Sequence, residues 1–200
     1  MVMVKNRPYN LTVFLSTSDN EYARDGFEPE GLVSGCNHID INSSINSGSG
    51  HILGVSSAMG IVAAPLIGFY CASKWAVEAL HDSLAQEVKS FGIKVTLLEP
   101  GAFATDFGSP LSMKTSQELE VYAELRNRVS VRLSTEERGD PNATAEAILQ
   151  IIDAEDPPLQ FAVGSGVLPL VRGVYADHLA TWETWEAVSN GAQGTPISHR

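Results

Sequence analysis

From residue 51 to residue 188, short apolar runs alternate with longer segments in which apolar residues recur every three or four positions. The short runs predict buried strands, and the longer segments predict amphipathic helices. The predicted strands cover residues 52–56, 93–98 and 159–163, and the predicted helices cover residues 70–91, 115–133, 140–156 and 168–188. Because strands and helices alternate, we expect an α/β fold with parallel strands joined by right-handed crossovers.

Residues that start and stop helices mark the boundaries of these segments. Gly92 follows the helix at 70–91 and is a good C-terminal stop, because glycine readily adopts the left-handed conformation found there. Thr115 and Glu118 match a capping box, and Asp140 before Pro141 is typical of a helix start. One apolar stripe predicts the buried face of helix 70–91, and it consists of Val77, Leu80, Leu84 and Val88.

The first 46 residues differ in character from the rest of the chain. They contain a strand-like apolar run at residues 11–15 and an acidic, turn-rich stretch at 19–30, and they lead into a Ser- and Gly-rich loop at 43–50. We therefore predict a partly irregular leader segment over residues 1–46 and an α/β part over residues 47–200.

Composition and charge exclude several classes of function. The chain has 200 residues, a size that suits one domain, and a formal net charge of −11, which argues against binding to nucleic acid or to anionic membranes. Neither a signal peptide nor an apolar segment of membrane-spanning length is visible, so we expect a cytoplasmic protein. The two cysteines and five histidines show no metal-ligand spacing, and we predict no metal.

Three residues form the strongest chemical signal in the chain. Tyr70 and Lys74 are four positions apart, so on a helix they share one face. An ammonium group near a phenol favours the phenolate, and we therefore expect Lys74 to lower the pKa of Tyr70. Ser57 ends a buried strand, which would bring its hydroxyl to the carboxyl edge of the sheet, where open α/β sheets bind ligands. Ser56 could replace it, but the spacing to Tyr70 favours Ser57.

These residues belong to a longer pattern that resembles the short-chain dehydrogenase/reductase family. The resemblance covers residues 47–190, about three quarters of the chain, and implies a Rossmann-like, doubly wound parallel sheet. Its specificity comes from the order and spacing of several motifs, since each one alone arises often by chance. The motifs are Ser57-x-x-Gly60, Tyr70-x-x-x-Lys74 and Pro100-Gly101-x-x-x-Thr105.

The resemblance implies an oxidoreductase that uses NADP or NAD to interconvert a secondary alcohol and a carbonyl. Tyr70 would be the general acid or base, Lys74 would also hold the nicotinamide ribose, and Ser57 would hydrogen-bond the substrate oxygen. The catalytic candidates are therefore Ser57, Tyr70 and Lys74. The candidate cofactor contacts are Tyr70, Lys74, Pro100, Gly101 and Thr105.

The resemblance also implies partners of two kinds. The substrate would be a small carbonyl or alcohol. The family forms oligomers through the helix that matches residues 70–91, and small residues at Ala72, Ala76 and Ala79 would permit close helix approach. We therefore expect a homo-oligomer.

The front of the chain departs from the family pattern. The N-terminal βαβ units and the Thr-Gly-x-x-x-Gly-x-Gly turn, whose backbone amides bind the cofactor pyrophosphate, have no match here. We therefore expect weak activity or none, and the alternative function is that of an impaired, truncated member that acts as a dimerisation or interaction module. Loss of those units would leave strand 52–56 as an open edge, and we hypothesise that residues 11–15 cover it.

Overall fold

The computed structural model describes residues 10–15, 49–107 and 117–195. Within these ranges the strands are β1 (Asn10–Leu15), β2 (Gly50–Val55), β3 (Ile93–Pro100) and β4 (Gln160–Val163). The five α-helices of these ranges are α1 (Gly68–Val88), α2 (Ala123–Thr135), α3 (Thr144–Asp153), α4 (Val167–Thr184) and α5 (Glu186–Ala192). Short 3-10 turns lie at Ala58–Gly60, Lys89–Phe91, Glu120–Tyr122 and Pro141–Ala143.

The strands form one parallel sheet in the order β1-β2-β3-β4. Helix α1 connects β2 to β3, and α2 and α3 lie between β3 and β4 in the chain. Continuous apolar runs are typical of parallel strands that are covered on both faces, and the burial of β2 and β3 agrees with this. The predicted α/β fold with parallel strands is confirmed.

The predicted cover for the edge of the sheet is also confirmed. Strand β1 pairs with β2 in parallel, from Asn10 opposite Gly50 to Leu15 opposite Val55. A run of six residues from the leader segment therefore continues the sheet and supplies backbone partners to β2, which is otherwise an unpaired parallel strand on that side.

The core lies on both sides of the sheet because neighbouring residues of a strand point to opposite faces. On one face, Ile52 of β2 packs in a cluster with Val88 of α1 and with Ile93 and Val95 of β3. On the other face, Leu53 packs in a second cluster; its other buried members are Leu98, Ile152 and Val163. Helices α1 and α3 therefore cover opposite faces, as in a doubly wound fold.

The segment that contains α1 stops at Gly92 as predicted, although α1 itself ends at Val88 and a 3-10 turn follows it, and α1 buries a different face from the predicted one. Gly92 has φ 71°, the left-handed conformation that stops the preceding turn. The predicted apolar stripe is wrong in part, because Leu80 is exposed and Val88 is the only fully buried member of the four. The buried residues of α1 are Cys71, Lys74, Glu78, His81 and Val88. The inward face is therefore largely polar, which matters for the chemistry below.

The capping box predicted at residues 115–118 is not what starts α2. Thr115 lies outside the described residues, and Glu118 precedes the helix, which begins after a 3-10 turn at Glu120–Tyr122. The Glu118 carboxylate instead lies 3.4 Å from Nε of Arg126, whose guanidinium also donates to the carbonyl of Leu119. These contacts fold the segment back on the helix without a capping side chain.

Two other helix predictions have different outcomes. Asp140 is an N-cap, and its carboxylate accepts a hydrogen bond from the backbone N–H of Asn142 at 2.9 Å, with Pro141 beginning the turn before α3. The single helix predicted over residues 168–188 is wrong, because the backbone changes conformation at Trp185 and separates α4 from α5. None of the described helices is long and apolar enough to cross a membrane.

Candidate active site

Three of the sequence-predicted residues meet at the carboxyl ends of β2 and β3. Ser57 is the second residue after β2, and the backbone N–H of Ser56 continues the ladder by donating to the carbonyl of Leu98 at 2.8 Å. Tyr70 and Lys74 lie in the first two turns of α1, which packs on the same strands. The carboxyl edge of a parallel sheet is where open α/β folds bind ligands.

Ser57 is held in place by the turn that it starts. Its backbone is extended, and its side-chain oxygen accepts a hydrogen bond from the N–H of Met59 at 3.2 Å. The same hydroxyl is hydrogen-bonded to the Tyr70 side chain. Ser56 points elsewhere, toward Gly60, where an added Cβ would lie 2.5 Å from its hydroxyl oxygen. The structure therefore brings Ser57, and not Ser56, to the phenol.

Lys74 lies one helical turn beyond Tyr70, on the same side of α1. Its Nζ lies over the Tyr70 ring, 5.8 Å from the ring centre. The Phe107 ring packs against Tyr70 as well, with 5.3 Å between the two ring centres. Hydroxyl, phenol and amine therefore converge in one place, as the spacing of the three residues predicts.

The expected direction of the Tyr70 pKa is wrong. Burial disfavours the phenolate and raises the pKa of Tyr70 above 10.0, and the hydrogen bond with Ser57 lowers it only in part. The Lys74 ammonium, placed over the ring face, does not reverse the effect of burial. In this structure Tyr70 is a protonated phenol at neutral pH.

Lys74 is itself buried, with 5% of its surface exposed. Burial lowers its pKa, because a charged ammonium loses hydration, while the negative charge of Glu78 raises it. Glu78 lies four residues after Lys74 on the same face of α1 and is 7% exposed. A counter-charge of this kind is what a buried lysine needs in order to stay protonated.

Sequence reasoning missed two buried carboxyl groups behind this lysine. Glu99, at the carboxyl end of β3, is 3% exposed and is hydrogen-bonded to the side chain of Glu78. The amide of Gln160 on β4 donates to the Glu78 carboxylate at 3.3 Å. Burial, followed by the neighbouring Glu78, raises the pKa of Glu99 to about 8. Two features of the sequence could have revealed this pair: Glu78 lies four residues after Lys74, and Glu99 is a charged residue inside an apolar strand.

The raised pKa of Glu99 gives a prediction about stability and pH. Its folded value of about 8 exceeds the ordinary 4.5, so the folded state holds one extra proton between these values. Stability from this group is complete below pH 4.5 and is lost as the pH rises toward 8, at up to about 1.4 kcal/mol per pH unit. Glu99→Gln should remove this loss. Urea denaturation of both chains at several pH values measures the difference.

The ionisation of a second buried group, His51, changes the stability of the fold with pH in the opposite direction. Burial lowers the pKa of His51 from 6.5 to about 4, so its stabilising effect is lost as the pH falls through that range. The contributions of His51 and Glu99 oppose each other up to pH 6.5. Between pH 6.5 and 8 only Glu99 of these two acts, and the wild type should lose about 2 kcal/mol relative to Glu99→Gln. Parallel curves for the two chains would contradict the prediction.

The predicted turn after β3 is present, and its residues contact β4, α4 and Phe107. The N–H of Gly101 donates to the carbonyl of Val163 at 3.0 Å. A Cβ at Gly101 would lie 2.9 Å from Val167, so glycine permits close approach of α4. The Thr105 hydroxyl accepts a hydrogen bond from the N–H of Phe107 at 3.3 Å. Thr105 is thus linked to the site through Phe107, which contacts Tyr70, whereas Pro100 and Gly101 contact β4 and the start of α4.

A separate cavity lies at the opposite, amino edge of the sheet. It measures about 100 Å³ and is lined by Ser49, Gly50, His51, Gly92, Lys94 and Ile152. Its position excludes it as part of the Tyr70 site. Within the described ranges, no group of three His, Cys, Asp or Glu side chains is placed to hold a metal ion.

Similarity to known proteins agrees with this geometry. Residues 31–116 match the short chain dehydrogenase family model, so the match begins inside the segment predicted as a leader. Oxidoreductase BOA17 of Botryotinia fuckeliana is 38% identical over 148 residues, which are 70% of this chain and 52% of that protein. A 3-ketodihydrosphingosine reductase of Bacteroides thetaiotaomicron is 39% identical over 131 residues, or 64% of this chain and 47% of that protein. The chain thus spans about half the length of these relatives.

Solved structures show the same fold. A short-chain dehydrogenase from Streptomyces avermitilis superposes with a TM-score of 0.71 at 32% identity, over 81% of this chain and 59% of that one. A gluconate 5-dehydrogenase from Burkholderia cenocepacia superposes with a TM-score of 0.56 at 20% identity, over 80% of this chain and 65% of that one. On its motifs, its fold and these similarities, the chain belongs to the short-chain dehydrogenase/reductase family.

Proposed function

We propose that this chain belongs to an NAD(P)-dependent oxidoreductase that interconverts a secondary alcohol and a carbonyl. Residues 47–200 would form the C-terminal part of that enzyme's Rossmann-like domain. The observation that carries the proposal is the convergence of Ser57 and Lys74 on the Tyr70 phenol, with a hydrogen bond from one and the ammonium of the other 5.8 Å from the ring centre. Relatives named as oxidoreductases, a reductase and a dehydrogenase support the same class of reaction.

Tyr70 is the residue that would exchange a proton with the substrate oxygen. Because its pKa is raised, the phenol keeps its proton at neutral pH, which is the protonation state that a general acid needs at the start of carbonyl reduction. Ser57 would donate a second hydrogen bond to the same oxygen and stabilise the charge that develops there. The ammonium of Lys74 adds a positive field at the phenol that becomes favourable as the proton leaves.

The residues at this edge fit the nicotinamide end of a dinucleotide. When bound, the nicotinamide would supply or accept a hydride. Lys74 offers an ammonium to the ribose hydroxyls, and Tyr70 and the turn of Pro100, Gly101 and Thr105 would surround the ring. Solved short-chain dehydrogenases with the same fold were crystallised with NADP or with NAD, and we propose one of these two as cofactor. The described residues include no glycine-rich turn for the pyrophosphate.

Helix α1 also carries the surface that we propose for homo-oligomer formation. Ala72 and Ala79 are exposed, Ala76 is half-buried, and Phe69 is 98% exposed at the start of the helix. Small residues permit close approach of a second helix, and an exposed aromatic ring is typical of an interface anchor.

Titration of the purified chain with NADPH and with NADH tests the proposal. The same titration of the Lys74→Met variant tests whether Lys74 binds the cofactor. Loss of a charged hydrogen-bond donor costs about 1.5–3 kcal/mol, so we expect binding at least about tenfold weaker than in the wild type. Calorimetry measures the dissociation constants. Lys89→Met, which removes an exposed lysine after the same helix, is the matched control and should bind like the wild type.

Turnover is then measured with a panel of aldehydes and ketones, by following oxidation of the reduced nicotinamide. Saturable binding with turnover of at least one carbonyl supports the proposal. If neither cofactor binds the folded chain, the proposal fails for this chain, and the interaction-module alternative gains support.

A further inference from the structure

Behind the proposed active site, two carboxyl groups meet that no other part of the proposed chemistry uses. Glu78 lies one turn beyond Lys74 on α1, and Glu99 approaches it from the end of β3. Both are buried, Oε1 of each lacks a hydrogen-bond partner among the described residues, and a hydrogen bond between the two side chains is among the contacts that raise the pKa of Glu99. Two carboxylates have no proton to share, so a hydrogen bond between them requires that one of the pair be protonated.

The surroundings decide which member carries the proton. Glu78 accepts a hydrogen bond from the Gln160 amide, and it lies one helical turn from Lys74, whose pKa its negative charge raises. Burial, followed by the neighbouring Glu78, raises the pKa of Glu99 to about 8. Glu99 is therefore the donor, and Glu78 is the charged acceptor.

The turn of the Ser57-x-x-Gly60 motif closes over this pair. A Cβ at Gly60 would lie 2.9 Å from the Glu78 carboxylate oxygen and 2.5 Å from the Ser56 hydroxyl oxygen. Glycine is thus required for close approach rather than for backbone conformation, because Gly60 has no positive φ. The turn that presents Ser57 to the phenol also excludes water from Glu78.

We propose that Glu78 and Glu99 are positioning residues that share one proton and hold Lys74 charged and in place beside Tyr70. The inference rests on the proposed function, since it assigns the pair to the site in which Tyr70 and Lys74 act. A buried ammonium without a counter-charge would lose its proton, whereas two full negative charges here would repel each other. One shared proton leaves a single negative charge to balance a single positive charge.

Titration of side-chain signals by NMR, in the full chain with labelled glutamate carboxyl and lysine amine groups, tests the inference without any substrate. Tyr70 is the other titratable group in contact with Lys74, Cys71 and His81 are further buried titratable residues of α1, and the Gln160 amide that β4 places on Glu78 is neutral. In the wild type, we expect one carboxyl of the pair to titrate near pH 8. Ordinary titration of both Glu78 and Glu99 in the acidic range would overturn the inference.

Two variants separate the roles of the pair. Glu78→Gln removes the counter-charge and should shift loss of the Lys74 proton to lower pH. Glu99→Gln keeps an N–H donor for Glu78, so it should abolish the carboxyl transition near pH 8 and leave the Lys74 titration where it was. Glu87→Gln, at an exposed site on the same helix, should change neither. A purely structural role would lower the melting temperature without moving the Lys74 titration, and that result would contradict the inference.

These outcomes distinguish the inference from the proposed function. A shifted Lys74 titration in Glu78→Gln supports the charge balance even if no cofactor binds. An unmoved Lys74 titration in a folded, cofactor-binding Glu78→Gln chain overturns the inference and leaves the proposed function standing. If Glu78→Gln does not fold, the wild-type carboxyl titration and the response of Glu99→Gln still decide the matter.

Discussion

Replacing Tyr70 with phenylalanine should lower kcat/KM for carbonyl reduction by about 10²–10⁴-fold, the usual contribution of a general acid. The change removes the hydroxyl that is hydrogen-bonded to Ser57 and leaves the ring that packs against Phe107. Because the ring stays, the fold and the contact with Lys74 over the ring face should persist. Steady-state rates with the best carbonyl of the panel measure the effect.

Tyr175→Phe is the matched control for this result. Tyr175 lies on α4, is exposed, and its ring contacts His178, which is not a residue of the proposed site. Its loss of one hydroxyl should leave kcat/KM unchanged. Turnover by Tyr70→Phe equal to that of the wild type, in a chain of unchanged circular dichroism, would show that another group supplies the proton.

Replacing Leu53 with alanine should lower the free energy of unfolding by about 2–5 kcal/mol. Leu53 is fully buried at 0% exposure in the middle of β2, where it lies between Val13 of β1 and Thr96 of β3 in the sheet register. Its side chain packs in the cluster formed with β3, β4 and α3. Truncation removes these contacts and leaves a cavity, because a close-packed sheet relaxes only in part.

Urea denaturation followed by circular dichroism gives the size of this loss. Leu149→Ala on α3 is the control, because it is the same chemical change at an exposed position, and it should cost less than about 1 kcal/mol. Equal losses in the two variants would mean that β2 is not the centre of the core.

The order of strands and helices could be predicted from the sequence because it depends on local patterns. Parallel strands that are covered on both faces need continuous apolar runs, and residues 52–56 and 93–98 have them. Gly92 ends one turn and Asp140 with Pro141 starts another, and both effects depend on local backbone geometry rather than on distant residues. The cover of the β2 edge followed from the same logic, since an unpaired parallel strand needs a partner.

The buried face of α1 could not be predicted from apolar periodicity. Hydrophobicity places Leu80 inside and Lys74 outside, and the structure has the reverse. A charged side chain is buried only where partners from elsewhere in the chain compensate for lost hydration. For Lys74 and Glu78, those partners include Glu99 and Gln160, which lie far along the sequence. Departures of this kind are expected at functional sites.

The Tyr70 pKa illustrates the same limit. The spacing of Tyr70 and Lys74 identifies the neighbour but not the depth at which both lie. The loss of hydration depends on the turn at Ala58–Gly60, on Phe107 and on the packing of α1 against the sheet. The three-dimensional surroundings therefore decide the sign of the shift.

Because the inward face of α1 is polar, selection for thermal stability would act against the residues of the proposed active site. Apolar residues of similar volume at buried ionic positions often make a protein more stable. Replacing Lys74 and Glu78 with leucine or methionine would therefore give a more stable α1. We expect such a chain to resist heat better and, under the proposed chemistry, to lose the positive charge that Lys74 provides to Tyr70 and to the cofactor. Screens that select for thermal resistance alone would therefore drive this helix away from its chemistry.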